Sequence, residues 1–156
     1  MIDSNEQGQT DAPASALLLD GAFAKELGLG TRELDTALAA ANAKLQAGNH
    51  DKALSMYAML VLCRPQNVNY QCALANCALK MQEYEMALQA ASAAVALDPR
   101  DCRGYYLSGA ACFGLGHLDE AREDIADALS FAEGSPHRDV LEASRRLDMQ
   151  LNASLT

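Results

Sequence analysis

The sequence predicts an all-α chain of three tandem helical hairpins, with one helix before them and one closing the far end. Three observations predict it. Ala, Leu and Met supply most of the apolar half of the chain, whereas aromatics make up only 5% and Trp is absent. Those three residues are strong helix formers. Apolar positions recur at i, i+3, i+4 and i+7, the helical period, and nowhere alternate over a strand's length. The pattern also returns every 34 residues: Gly48–Pro65 (GNHDKALSMYAMLVLCRP), Gln82–Pro99 (QEYEMALQAASAAVALDP) and Gly116–Glu133 (GHLDEAREDIADALSFAE) align without gaps.

The elements follow in order. Residues 1–13 are polar and acidic and end at Pro13, so a tail outside the fold is expected there. From Ala14 to Leu29, Leu19, Phe23 and Leu27 recur at i, i+4 and i+8 and would form one stripe of an N-terminal helix. Gly28 and Gly30 stop it, and Thr31 is placed to cap the next helix. A repeat domain should then span 31–152, with units at about 34–67, 68–101 and 102–135. In each unit a small residue on the first helix (Ala41, Ala75, Gly109) and another on the second (Ala53, Ala87, Ala121) let the two helices approach closely. Pro65 and Pro99 lack an amide hydrogen and clash with the preceding turn, so each ends a second helix. Asp101 can then cap the helix that follows. The run Gly134-Ser135-Pro136 breaks the chain, with Ser135 as a cap and Pro136 at the first position of a closing helix over 136–152. Val140, Ala143, Leu147 and Leu151 give that helix its apolar stripe, while Arg138, Asp139, Glu142, Arg145 and Arg146 solvate its other faces.

A 34-residue period with a small residue in each helix and a closing Pro resembles the tetratricopeptide repeat. The likeness runs from about Leu34 to Glu133 and implies a right-handed α-solenoid of three tetratricopeptide-type hairpins. No unit of such an array buries its apolar face alone, so neighbours must stack.

Charge and composition exclude several function classes. A net charge of −9 and a pI near 4.6 repel phosphate backbones, so no nucleic-acid partner is expected. No apolar run approaches the ~20 residues that span a bilayer, and the N-terminus lacks the basic and apolar regions of a signal peptide. Stable membrane insertion is therefore not expected, and the cytoplasm is. Cys63, Cys72, Cys77, Cys102 and Cys112 lie inside helical patterns without a CxxC pair, and read as buried thiols of a reducing compartment. Their spacing fits no common zinc site. His50, His117 and His137 fall in turns or at helix starts with no triad spacing, and no phosphate-binding loop or HExxH occurs. The acidic run Asp119, Glu120, Glu123, Asp124 and Asp127 opens a second helix and reads as a solvated face. The expectation is a protein without catalysis, metal or cofactor.

A binding surface is predicted instead. Stacked hairpins curve, and their first helices line the inner wall. Counted from the small-residue landmarks, the first unit offers Leu38, Asn42 and Leu45. The second offers Cys72, Asn76 and Leu79, and the third Tyr106, Ala110 and Phe113, with Asn69, Arg103 and Leu107 at the edges. Asn side chains can bond the backbone of an extended peptide while Leu, Tyr and Phe receive its side chains. Three or four apolar anchors at roughly 1.5–3 kcal/mol each exceed the ordering cost of a short segment modestly, which points to micromolar binding. Repeat domains that clamp acidic C-termini of heat-shock chaperones use Lys and Asn, then Asn, then Lys and Arg; Leu38, Asn42, Ala73, Arg103 and Leu107 stand here, and only Asn42 and Arg103 fit.

A polar tail, one helix, three repeats and one closing helix resemble the class II chaperones of bacterial type III secretion. The stretches that carry this are LDTALAAANAKLQAGNHDKALSMYAMLVLCRP and DPRDCRGYYLSGAACFGLGHLDEAREDIADAL, above all Arg103, Tyr106, Gly109, Ala110, Ala111, Cys112, Gly116, Leu118, Glu120 and Ala121. The resemblance implies a bacterial cytoplasmic chaperone that holds hydrophobic secreted translocator proteins by an extended segment before export. It also implies a homodimer, with Leu19, Phe23 and Leu27 as contacts. The family's first-repeat groove is usually rich in Tyr and Phe, and Leu38, Asn42 and Leu45 depart from that. A general protein–protein scaffold and a needle-subunit chaperone are the competing readings.

Overall fold

The computed structural model describes residues 21–154. All regular structure among them is helical: α1 (Ala22–Glu26), α2 (Thr31–Gln46), α3 (His50–Cys63), α4 (Val68–Lys80), α5 (Tyr84–Leu97), α6 (Cys102–Leu115), α7 (Leu118–Ala132) and α8 (Arg138–Ala153). Three antiparallel hairpins, α2/α3, α4/α5 and α6/α7, stack in chain order, and α8 packs on α6 and α7. The all-helical repeat array expected from the 34-residue period is present. No described helix is long and apolar enough to cross a membrane.

The period is visible first in the turns. Gly48, Gln82 and Gly116 occupy equivalent places between the two helices of each hairpin, and all three have positive φ, at 78°, 61° and 79°. Each belongs to the same cap. The amide of the following residue reaches back to the carbonyl five positions earlier: Asn49 to Lys44, Glu83 to Ala78 and His117 to Cys112, at 2.9 Å in every case. Left-handed closure of this kind satisfies carbonyls that the helix end would leave bare.

Packing follows from the small residues. Ala41, Ala75, Ala53, Ala87 and Ala121 are all fully buried. Gly109 marks a closer seam than the alanines do, because a Cβ there would stand 2.8 Å from Ile125 Cδ1 on α7. Gly104 does the same between hairpins: its missing Cβ leaves room for Val95 on α5. Tyr57, Leu60, Leu74 and Leu107 fill the larger spaces. All five cysteines are buried free thiols, as their helical placement predicts. One joins two hairpins, Cys77 Sγ donating to the His50 carbonyl at 3.6 Å.

The helix starts correct two expectations. Thr31 is not the cap of α2; Gly30 takes that place with extended backbone, and its amide donates to Glu33 Oε2 at 3.0 Å. The carboxylate at the third helical position reaches back to the cap residue's own amide, so this end is fixed from inside the helix and not by a Thr hydroxyl at the cap. The closing helix starts at Arg138, with His137 as its cap, and not at Pro136. Ser135 Oγ accepts the His137 amide at 3.2 Å and the Pro136 carbonyl accepts that of Arg138, so these residues form a turn ahead of the helix. Asp101 caps α6 as predicted, accepting the Arg103 amide at 3.0 Å. Pro65 and Pro99 each follow the last helical residue by two positions.

The expected N-terminal stripe is only partly within the described residues. Leu19 and the 1–13 tail lie outside them. Phe23 is partly buried against the first hairpin's core, Ala24 is buried, and α1 packs on α3.

Gln82 is the one non-glycine residue with positive φ among the described residues. A Cβ in that region costs about 1 kcal/mol or more. Gln82→Gly should therefore raise unfolding stability by about 0.5–1 kcal/mol in urea titration, with an unchanged m-value.

Candidate functional site

The first helices of the second and third hairpins, α4 and α6, lie side by side, and α8 follows α6 in the same wall. Two hollows open along this face. One, of about 290 Å³, is lined by Asn69, Cys72, Ala73 and Asn76 from α4, Arg103, Tyr106 and Leu107 from α6, and Asp139 and Val140 from α8. The other, of about 360 Å³, is lined by Tyr106, Ala110 and Phe113 from α6 and by Ala143, Arg146, Leu147 and Gln150 from α8. Tyr106 belongs to both, so the hollows form one trough with a tyrosine ridge in its floor.

Helical spacing explains the lining. Cys72 and Asn76 stand one turn apart on α4, and Arg103, Tyr106, Ala110 and Phe113 run at i, i+3, i+7 and i+10 along α6. Eight residues expected at the inner wall meet here: Asn69, Cys72, Asn76, Arg103, Tyr106, Leu107, Ala110 and Phe113. Of these, Cys72 and Leu107 are largely buried floor, whereas Phe113 is 36% exposed at the rim. The remaining four line neither of these two hollows. Leu38 and Leu45 pack part-buried against the first hairpin's core, and Leu79 does so between the first and second hairpins. Asn42 Oδ1 accepts the Tyr57 hydroxyl at 2.6 Å, which ties that amide within its own hairpin.

Charge in the trough is set by a few groups. Burial alone would raise the Asp101 carboxyl, but hydrogen bonds from the Arg103 side chain and backbone outweigh it and hold the carboxyl below its usual range. Arg103 Nε contacts both Asp101 oxygens at 3.0 and 3.1 Å, so its charge is answered within the chain. Burial pushes the Cys72 thiol up to about 11, which keeps it neutral and the floor apolar. Among the described residues no group of His, Cys, Asp and Glu is placed to hold a metal ion.

Sequence reasoning missed the contribution of α8. Asp139, Ala143, Arg146 and Gln150 share one face at i, i+4, i+7 and i+11 and form the trough's far wall. Their shared spacing was readable. The place of that face in the wall was not.

No family model matches the chain. Among curated proteins of Saccharomyces cerevisiae, the small glutamine-rich tetratricopeptide repeat-containing protein 2 is 25% identical over 147 residues, 88% of this chain. Heat shock protein STI1 is 36% identical over 90 residues, 56% of this chain. The chain spans 42% and 15% of the lengths of these relatives. Solved structures match over nearly their whole length. PcrH of Pseudomonas aeruginosa, in complex with the chaperone binding region of PopD, superposes with a TM-score of 0.75 at 24% identity, covering 83% of this chain and 98% of that one. PcrH with the corresponding region of PopB gives 0.71 at 25% identity, covering 76% and 97%. The Yersinia enterocolitica type III secretion chaperone SycD, with a peptide of the translocator YopD, gives 0.73 at 16% identity, covering 81% and 98%. The chain has the fold of the type III secretion translocator chaperones. That fold is tetratricopeptide-type and is shared more widely: the first such domain of Spaghetti (RPAP3), bound to an HSP90 peptide, gives 0.71 at 20% identity, covering 81% and 95%.

Within this translocator-chaperone fold, Asp101 joins helix cap and trough edge. Its stabilising contribution is present above the ordinary carboxylate pKa and is lost as pH falls through the lowered folded value. Asp101→Ala should cost about 1–2 kcal/mol at neutral pH by thermal unfolding, and the loss should shrink in strong acid.

Proposed function

We propose that the chain is a chaperone of bacterial type III secretion that holds an extended apolar segment of a translocator protein in its trough. In this reading it works in the bacterial cytoplasm, keeps its client soluble and unassembled before export, and performs no catalysis. The observation that carries it is the trough itself. Its floor pairs aromatic and aliphatic side chains with the exposed amides of Asn69 and Asn76. Structures sharing the fold hold translocator segments, as PcrH does with PopD and PopB and SycD with YopD.

An alternative reading as a general scaffold draws on the wider tetratricopeptide likeness. A clamp for acidic C-termini is disfavoured by the charge arrangement. Leu38, Ala73 and Leu107 offer no donor, and Arg103 is already engaged by Asp101. A needle-subunit chaperone, which would grip a helix, is the other competing reading.

The trough reading is tested by coexpression with translocators encoded in the same gene neighbourhood. A soluble complex is expected, and Phe113→Glu should abolish it while leaving the thermal transition within a few degrees, since Phe113 is a rim residue. Retention of full binding by this variant would refute the trough as the client site.

We also propose that the chain forms a homodimer through its N-terminal face. Leu27 is 51% exposed, and Met59 and Leu62 on α3, the helix that carries α1, are 52% and 45% exposed. Large apolar side chains left bare on these two packed helices favour covering by a second copy. Leu27→Glu should shift the sedimentation coefficient from dimer to monomer.

A further inference from the structure

The two hollows differ in charge, and the difference is built into α8. Asp139 lines the hollow nearer the α8 N-terminus, where Arg103 is already neutralised by Asp101, so that hollow is net negative. Arg146 lines the other, beside Phe113 and Tyr106, with no carboxylate among its lining residues. Among the described residues neither Asp139 nor Arg146 makes an ion pair. Both are exposed.

Resting on the trough as the peptide site, we propose that it selects its client segment by a charge pair. The segment carries a basic side chain that faces Asp139 and an acidic side chain that faces Arg146, on either side of an apolar residue that meets Tyr106. Geometry sets the spacing. Asp139 and Arg146 are seven residues apart on one helix face, about 10 Å at 1.5 Å per residue. A segment in the extended polyproline II form advances about 3.1 Å per residue with three residues per turn, so side chains three positions apart share one face about 9 Å apart. The helix N-terminus also favours Asp139 where it stands, but it gives no reason for Arg146 to line the other hollow about two turns on.

The interaction acts mainly on specificity. Exposed pairs contribute modestly and are weakened by salt. Each should change affinity about two- to fivefold, and the pair together about tenfold. Apolar anchoring at Tyr106 and Phe113 supplies the larger share of binding.

A displayed library of random 12-residue peptides, selected on the full chain, tests the proposal. Peptides enriched on the wild-type protein should carry opposite charges three apart around an aromatic or aliphatic residue. One order along the peptide should dominate. The double variant Asp139→Lys, Arg146→Glu keeps net charge and exposure and should enrich the inverted order. Synthetic peptides of each order, measured by fluorescence anisotropy, should exchange rank between the two proteins by about tenfold at low salt. Equal binding of both orders, or an order unmoved by the swap, would overturn the charge code. So would enrichment of C-terminal carboxylates alone. If selected peptides still bind Phe113→Glu at full strength, the trough reading itself has failed; if that variant abolishes binding but the order does not invert, only the charge code has.

Discussion

Each hairpin is closed where two helices come within reach of each other's backbone, and that near-contact sets where every other side chain points. It is possible only at residues with almost no side chain. Ala41, Ala75 and Gly109 serve on the first helices and Ala53, Ala87 and Ala121 on the second, with no exposure at the five alanines. At Gly109 the space is smaller still, since Ile125 already occupies the volume of a methyl group. With the helices this close, a shift by one residue along either would drive a larger side chain into the seam, so the register is held by sterics. The trough inherits its alignment from that register.

The same economy explains a core with few aromatics. Alanine and cysteine dominate the buried positions because the seams are narrow; among the larger buried residues, Ile125 fits because Gly109 opposite it has no side chain, and Tyr57 and Leu60 fill the first hairpin's core. Several polar groups in these seams are answered locally. Gln71 donates to the Pro65 carbonyl at 2.9 Å, Tyr57 to Asn42, and Cys77 to His50. These bonds pin turns to neighbouring helices and leave the trough-facing amides of Asn69 and Asn76 exposed for another chain.

Acidity is concentrated away from the trough. Asp119, Glu120, Glu123 and Asp127 on α7 are exposed, whereas Asp124 turns toward α6. Burial raises the Asp124 carboxyl, its acidic neighbours on α7 add to that, and a Ser108 hydrogen bond offsets part of it. Asp124 therefore favours the folded state in its neutral form, a contribution present in acid and lost as pH rises through its raised value. A solvated acidic back opposite the trough is consistent with the proposed holding of an apolar segment.

How much was legible depended on whether a feature was local. The three hairpins, their small-residue seams, the proline stops and the Asp101 cap all follow from properties of residues near one another in the chain. Eight inner-wall residues also follow, because a known helical phase carries them together. Two caps were misplaced by short-range competition: Glu33 outreached Thr31 at the start of α2, and the Ser135–Pro136 turn delayed α8 until Arg138. That delay had a wider effect. The buried positions of α8, Val140, Ser144 and Leu147, repeat Gly104, Ser108 and Ala111 of α6 after 36 residues instead of 34. Two extra residues in one turn concealed a fourth inner-wall helix from a period of 34.

The sequence by itself determined the helical class, the repeat, and the phase of each helix, since these rest on spacing and backbone chemistry. Tertiary structure alone decided what closes the trough and which of its polar groups remain available. Arg103 and Asn42 look free in the sequence, yet Asp101 and Tyr57 engage them. Asp139 and Arg146 look like solvated surface, yet α8 sets them against α6. The physical reason is that availability depends on which partners arrive from other helices, and no period within one helix encodes that.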